Sequence, residues 1–142
     1  MSGGRIVASS WAGTVLLAAT AVPALVAPRL DPAAVAVAVA LFAAGSGAFL
    51  WALARAAARS RTAAIGMGGL FFLQGSAPRR VRRHLLGSLL LQVAIGLGTA
   101  IARPFTPAAF GVLVPIYGLA LCGLWAARYG TFGPRVAEPR RR

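Results

Sequence analysis

The sequence predicts an all-α fold, a membrane-embedded bundle of four transmembrane helices with a short in-plane or re-entrant element between the second and third. Hydrophobic residues make up 58% of the 142-residue chain, and charged residues make up only 12%. A soluble domain of this size could not bury so much apolar surface, because small folds leave a large share of the chain exposed. The apolar residues form four long runs, and the fifteen arginines and the prolines are concentrated between them. This pattern indicates a single membrane domain over residues 1–142.

The first apolar run covers residues 6–27. A helix of about 20 apolar residues crosses the roughly 30 Å hydrocarbon core of a bilayer, so the run is long enough to span it. The alternative is a cleaved signal peptide, since Arg5 precedes the run and Val22-Pro23-Ala24 resembles a small-residue cleavage site. We favour a retained helix, because the run is longer than a signal-peptide core and three further runs follow.

The second run, residues 33–54, follows a connector in which Asp31 precedes Pro32. An aspartate before a proline is a favourable N-cap, so we expect Asp31 to cap the second helix. Within the run, alanines recur at every fourth position: Ala36, Ala40, Ala44, Ala48 and Ala52. A column of small side chains allows a neighbouring helix to approach closely, which predicts a packing face. The alternative is that alanine is merely frequent in this chain.

Residues 55–84 form an arginine hub between the second and third spans. The hub contains seven arginines: Arg55, Arg59, Arg61, Arg79, Arg80, Arg82 and Arg83. Within it, the apolar stretch 62–75 has fourteen residues, which is too few for a comfortable span. The alternatives for this stretch are a fifth crossing helix and an in-plane or re-entrant element.

The distribution of arginine decides between these alternatives, because cytoplasmic loops retain positive charge. Four spans place thirteen arginines inside and two, Arg29 and Arg103, outside, whereas five spans divide them ten to five. The distribution therefore favours four spans, with the hub and both termini on the cytoplasmic side. It also predicts that the protein lies in the cytoplasmic membrane.

The third span is predicted over residues 85–102, with Ser76 as N-cap and Pro78 in the first turn. Four hub arginines lie at its start: Arg79, Arg80, Arg82 and Arg83. Forked guanidinium donors and the free N–H groups of a helix N-terminus both favour anions. The four arginines are therefore candidates to contact anionic lipid headgroups or an acidic partner segment. The alternative is that they only set the topology.

A second column of polar or small residues recurs at every fourth position of the third span: Ser88, Gln92, Gly96 and Ala100. Gln92 is the most polar side chain in the middle of any run, and we expect it to face another helix, where its amide finds a partner. The candidate set for intramembrane packing is Ser88, Gln92 and Gly96 with Ala40, Ala44 and Ala48.

The fourth span is predicted over residues 108–127. Pro115 is expected to kink it, because proline removes a backbone donor. Residues 128–142 are basic and contain proline and glycine, which predicts a flexible tail.

The inventory of reactive side chains argues against catalysis. The two carboxylates, Asp31 and Glu138, are predicted on opposite sides of the membrane, and His84 is the single histidine. Acid–base catalysis and divalent-metal sites both need such groups to converge. We therefore expect a protein that is not an enzyme and uses no metal or cofactor. We also expect no nucleic-acid partner, because the arginines separate apolar runs instead of coating a polar fold.

Three segments carry distinctive motifs: LFFLQGSAPRRVRRH at 70–84, RPFTPAAFGVLVPIYG at 103–118 and ARYGTFGPR at 127–135. They resemble a family of small, basic, four-span integral membrane proteins of actinobacteria with similar Gly-Ser-Ala-Pro, Arg-Pro-Phe-Thr and Tyr/His-Gly-Thr-Phe motifs. The resemblance covers roughly residues 65–135. The family has no assigned activity, so the resemblance implies a topology and supplies no catalytic residue.

Two functions remain open. The first is an accessory or scaffolding subunit of the cytoplasmic membrane, which packs against a second copy or a larger membrane protein through the two columns. The alternative is a small lipid or glycolipid translocator or transport subunit, with the hub arginines on phosphate headgroups. Translocation also needs a polar path across the membrane, for which Ser88, Gln92 and Tyr117 are the candidates. We favour the first function, because it needs only packing faces.

Overall fold

The computed structural model describes residues 2–136, and the chain is 78% helical with no β-strand in that range. The prediction of an all-α fold is confirmed. The helices are α1 Gly3–Ala24, α2 Asp31–Arg59, α3 Met67–Phe71, α4 Arg79–Ala102 and α5 Pro115–Tyr129, with short 3₁₀ helices at Pro28–Leu30 and Pro107–Leu113.

Four segments within residues 2–136 are long and apolar enough to cross a bilayer: Gly3–Ala24, Pro28–Arg59, Arg79–Ala102 and Pro107–Tyr129, with 22, 32, 24 and 23 residues. About 20 residues suffice for a crossing helix. α3 has only five residues and cannot cross. The short element predicted between the second and third long helices is therefore present.

Successive long helices run antiparallel. At one end, here called the hub end, a Cβ added to Gly3 of α1 would lie 3.0 Å from Trp125 Nε1 of α5. Arg59, at the end of α2, also lies at the hub end, where its Nη1 donates to the carbonyl of Ala127. At the opposite end, Arg103 after α4 pairs with Asp31 at the start of α2. The arginine hub and the amino end of the chain therefore lie together, away from the connectors 25–30 and 103–106.

The fourth crossing segment is broken, which is a larger distortion than the predicted kink. A 3₁₀ helix covers Pro107–Leu113, and the α-helix begins only at Pro115. Proline is well tolerated in the first turn of a helix, where its missing N–H costs no intrahelical bond. The break lies within the bundle, because Cβ atoms added to Gly45 and Gly96 would lie 2.6 Å from the Tyr117 Cα and 2.5 Å from the Gly111 oxygen. The backbones of α2 and α4 thus hold the broken segment from both sides.

The short helix α3 packs into the hub end of the bundle. Leu70, Phe71 and Leu73 are buried, whereas Phe72 is half exposed. The ring of Phe71 stacks on Phe49 of α2 with 4.9 Å between ring centroids. The apolar run in the hub therefore packs against the long helices and covers the hub end of the bundle core.

Neither of the two predicted N-caps forms. The first residue of α2 is Asp31 itself, and its carboxylate binds Arg103 instead of a backbone N–H. A guanidinium is itself charged and offers two forked donors, so it binds a carboxylate more strongly than a single neutral backbone N–H does. Ser76 does not cap α4 either, since its hydroxyl donates to the Gly69 carbonyl at 2.5 Å and fixes the turn after α3.

Residues 130–136 are the described end of the segment for which a flexible tail is predicted. Residues 130–136 fold back over the hub, and their backbone bonds include Thr131 N–H to Ser76 O at 3.0 Å and Ala64 N–H to Gly133 O at 2.9 Å. Backbone pairing and the packing of the half-buried Phe132 ring compensate for the conformational entropy that ordering costs. Residues 137–142, with Glu138 and three of the tail arginines, lie outside the described residues.

Candidate functional site

A buried polar network joins α1 to α4 in the middle of the bundle. Ser88 and Gln92 of α4 face Ser10 and Thr14 of α1, and all four side chains are at most 1% exposed. The hydroxyls of Ser10 and Ser88 lie 2.5 Å apart. The Nε2 of Gln92 donates to the Oγ1 of Thr14 at 2.9 Å. The structure thus turns the Ser88 and Gln92 column inward, onto another helix of the same chain.

Gln92 also completes the broken fourth segment. Its Oε1 accepts the Gly118 N–H at 3.1 Å, in the first turn of α5. An unsatisfied backbone group costs on the order of several kcal/mol in hydrocarbon, so an additional acceptor beside the break stabilises this segment. A Cβ on Gly118 would lie 2.7 Å from the same Oε1, so glycine leaves room for this bond. Gln92 therefore links α4 to the first turn of α5 inside the bundle.

The other polar groups in this region are also bonded. The Thr14 hydroxyl donates to the Ser10 carbonyl at 2.9 Å, and the Tyr117 hydroxyl donates to the Ser9 carbonyl at 3.0 Å. Ser88, Gln92 and Tyr117, the candidates for a polar path, thus all have partners within the protein. Their arrangement is that of a closed, mutually satisfied network, which rigidifies the bundle.

Most of the alanine column of α2 lies on the outside of the bundle, whereas Ser88 and Gln92 face inward. Ala40 and Ala44 are exposed and Ala48 is half buried. The buried face of α2 is instead made by Asp31, Ala34, Ala38, Leu41, Gly45, Ala52 and Ala56. Of the predicted packing column, Ala36, Ala40 and Ala44 are therefore left uncovered by the other described helices, whereas Ala52 is buried. The uncovered positions belong to an outward face of small residues: Ala36, Ala40, Ala43, Ala44 and Gly47.

The four candidate arginines at the start of α4 are all exposed: Arg79, Arg80, Arg82 and Arg83. Among residues 2–136, their side chains make no ion pair or hydrogen bond. A shallow groove of about 450 Å³ runs along this part of α4. Its hub end is lined by Arg79, Arg82 and Arg83, and the rest is lined by Leu86, Gly87 and Leu90. The cluster is therefore open to a ligand or to the membrane surface.

Two arginines that sequence reasoning did not single out have internal roles. Arg59 Nη1 and Nη2 donate to the carbonyls of Ala127 and Gly130 at 2.7 and 3.0 Å, which caps the end of α5. Arg103 pairs with Asp31 across the connectors. The sequence does contain a signal for the Arg103–Asp31 pair, because Asp31 is the single acidic residue predicted on the same side of the membrane as Arg103. The sequence contains no such signal for Arg59, because its partners are backbone carbonyls, which every residue has.

Within residues 2–136, no three His, Cys, Asp or Glu side chains come together as a metal site would require. No protein-family model, curated protein or solved structure matches the chain. The fold and the polar network therefore define the class: an all-α protein with four helices long and apolar enough to span a membrane.

Proposed function

We propose that the protein is an accessory or scaffolding subunit of the cytoplasmic membrane, which binds a larger membrane protein through the outward face of α2. The observation that carries the proposal is that this face is exposed and consists of small side chains. The most apolar stretch of Pro28–Arg59 is 22% buried, against 28% for Arg79–Ala102, 33% for Gly3–Ala24 and 56% for Pro107–Tyr129. Small residues at exposed positions allow close helix approach, which drives association where lipid replaces water.

The closed polar network favours this role over translocation. A translocator needs polar groups that a substrate can reach, and Gln92 is fully buried with both ends of its amide bonded within the chain. The interaction role needs only a rigid bundle with one free helix face. Because no step of it is chemical, the role requires no catalytic group, metal or cofactor.

The charge at the hub end indicates which kind of partner fits α2. Arg55 and Arg61, which are both exposed, lie at the hub end of α2, within its last turns and just beyond its end. Two copies paired side by side through α2 would bring these arginines together, which costs free energy through like-charge repulsion. A helix of another protein, with small residues along the contact and acidic residues at its cytoplasmic end, has complementary charge. We therefore assign the face to a different membrane protein and not to a second copy.

Cross-linking in native membranes tests the proposal. A cysteine at Ala44, in a chain whose buried Cys122 is replaced by Ala, should cross-link to one membrane protein with acidic residues at its cytoplasmic edge. Ala40→Leu with Ala43→Leu should abolish that product, because larger side chains separate the two backbones. The matched control is a cysteine at Ala94, an exposed alanine on α4. Equal products from positions 44 and 94, or a product containing only a second copy of the chain, would refute the assignment.

The orientation is tested separately with an impermeant thiol reagent on intact cells. Phe105 is fully exposed in the connector after α4, and Gly66 is exposed in the hub. A cysteine at position 105 should be labelled and one at position 66 protected, because the more arginine-rich end stays in the cytoplasm. The reverse pattern would overturn the orientation while leaving the α2 interface to be judged by cross-linking.

A further inference from the structure

We propose that the face of α4 between Arg79 and Leu90 binds one anionic phospholipid, with its phosphate on Arg79, Arg82 and Arg83. The site lies on a different helix from the proposed partner surface, so it stands or falls independently of that function. Its ligand class is a phosphate-bearing diacyl lipid whose headgroup carries net negative charge.

The residues that line the groove form a single stripe along the helix. They are Arg79, Arg82, Arg83, Leu86, Gly87 and Leu90. These positions recur at intervals of three and four, which places them on one helical face. At 1.5 Å per residue the stripe is about 16 Å long, close to half of the roughly 30 Å hydrocarbon thickness. Because the arginines lie at the membrane surface, the apolar part from Leu86 to Leu90 follows about 6 Å of an acyl chain within one leaflet.

The stripe is charged at one end and apolar at the other. The three guanidinium groups lie at the hub end, while Leu90, which is 68% exposed, lies deeper along the span. Between them, a Cβ added to Gly87 would have no atom within 4 Å, so the groove is open at that point. A lipid matches this order, because its phosphate lies at the membrane surface and its acyl chain runs inward. An acidic peptide from a soluble partner would match only the charged end.

The arginines are free to bind a phosphate. None of the three has a side-chain partner among the described residues, in contrast to Arg59 and Arg103, which the fold uses internally. Arginine presents forked donors that match phosphate geometry. Arg79 and Arg82 also stand in the first turn of α4, where the helix dipole favours negative charge. A second groove, lined by Arg79, Arg80, Arg83 and His84, adjoins this end and would accommodate the rest of the headgroup.

Native mass spectrometry of the full chain in mild detergent tests the site, with phosphatidylglycerol and phosphatidylcholine as probes. Wild type should retain one phosphatidylglycerol in preference to phosphatidylcholine. Replacing Arg79, Arg82 and Arg83 with Gln should reduce that retention by more than about tenfold, since each basic residue near an anionic surface contributes severalfold. The matched control replaces Arg5, Arg55 and Arg61 with Gln, which removes the same charge from exposed positions at the same end. Equal losses in both triple variants would show general charge attraction and overturn the site.

A second variant tests the apolar half without changing any charge. Gly87→Leu fills the groove and should lower phosphatidylglycerol retention, while Gly98→Leu, on an open stretch of the same helix, should not. Glycerol phosphate and an acidic peptide serve as competitors without acyl chains. If either displaces the lipid from wild type at the lipid's own concentration, or if Gly87→Leu retains it fully, the ligand is not a phospholipid and the proposal is wrong.

Discussion

Arg103 holds Asp31 through two parallel hydrogen bonds, Nη1 to Oδ1 at 2.7 Å and Nη2 to Oδ2 at 3.1 Å. The same Nη1 donates to the carbonyl of Ala24 at 2.7 Å, so one side chain ties the ends of three long helices together. The side chains of Arg103 and Asp31 are only 21% and 12% exposed. The pair therefore neutralises one of the two arginines at the end opposite the hub, and sharpens the charge difference between the two ends.

Asp31→Asn should destabilise the bundle by about 2 kcal/mol, because the guanidinium keeps its position but loses a charged acceptor. Arg103→Gln should have a similar effect, and the double variant should cost less than the sum, since the partners act as one unit. Denaturant titration in mild detergent, followed by circular dichroism, measures the change. Arg29→Gln, an exposed arginine in the connector of Asp31, is the control and should be neutral within about 0.5 kcal/mol. Additive losses would contradict a direct pair.

Gln92→Leu keeps the volume of the side chain but removes its bonds to Thr14 and Gly118. The expected loss of stability is about 1–2 kcal/mol, at the upper end for buried polar contacts between membrane helices, because two bonds between helices are lost together. Hydrogen exchange at the Gly118 amide should also accelerate. Gln74→Leu, at an exposed position in the hub, should change neither quantity. A Gln92→Leu protein as stable as wild type would show that the Gly118 N–H has another acceptor.

Gly96→Ala and Gly98→Ala form a matched pair on α4. A Cβ on Gly96 would lie 2.5 Å from the Gly111 oxygen, whereas one on Gly98 would have no atom within 4 Å. Both changes gain up to about 1 kcal/mol of helix propensity. Gly98→Ala should therefore be neutral or stabilising, while Gly96→Ala should lose about 1–3 kcal/mol through overpacking. Thermal unfolding in detergent compares them, and equal midpoints would mean that the 3₁₀ segment shifts without cost.

Hydrophobic runs and arginine spacing predicted the four long helices and the short element because both depend on local composition. The same reasoning placed Gln92 against another helix, since an amide inside hydrocarbon needs a partner. It could not predict that the partner is the N–H of Gly118, which exists only because the fourth segment breaks at Pro115. Nor could it orient the alanine column, because every face of α2 is apolar and the periodicity of small residues does not say which face is buried.

The caps failed for a related reason. Asp31 and Ser76 stand where local sequence favours capping, yet each binds a group that is distant in sequence or belongs to another turn. Local propensity is a weak prior when a stronger acceptor or donor lies within reach in the folded chain. The order of residues 130–136 depends in the same way on contacts with the hub, and composition alone could not reveal it.

The last prediction concerns Arg59, which links the end of α2 to the end of α5. Its guanidinium bonds the Ala127 and Gly130 carbonyls and lies 5.5 Å from the centroid of the Phe132 ring. A cation at a helix C-terminus satisfies free carbonyls and interacts favourably with the dipole. Arg59→Gln should therefore release residues 130–136 from the hub, and their amides should lose about 1–2 kcal/mol of protection.

Hydrogen–deuterium exchange read by mass spectrometry measures this protection peptide by peptide. Arg55→Gln is the matched control, because Arg55 lies one turn earlier on α2 and its guanidinium lies 5.3 Å from the centroid of the Trp51 ring, away from the α5 carbonyls. It removes the same charge from the same end of the helix, so a general electrostatic effect would appear in both variants. Loss of protection confined to residues 126–136 in Arg59→Gln would establish Arg59 as the anchor of the segment. Unchanged exchange there would mean that the Thr131 bond to Ser76 holds the segment alone.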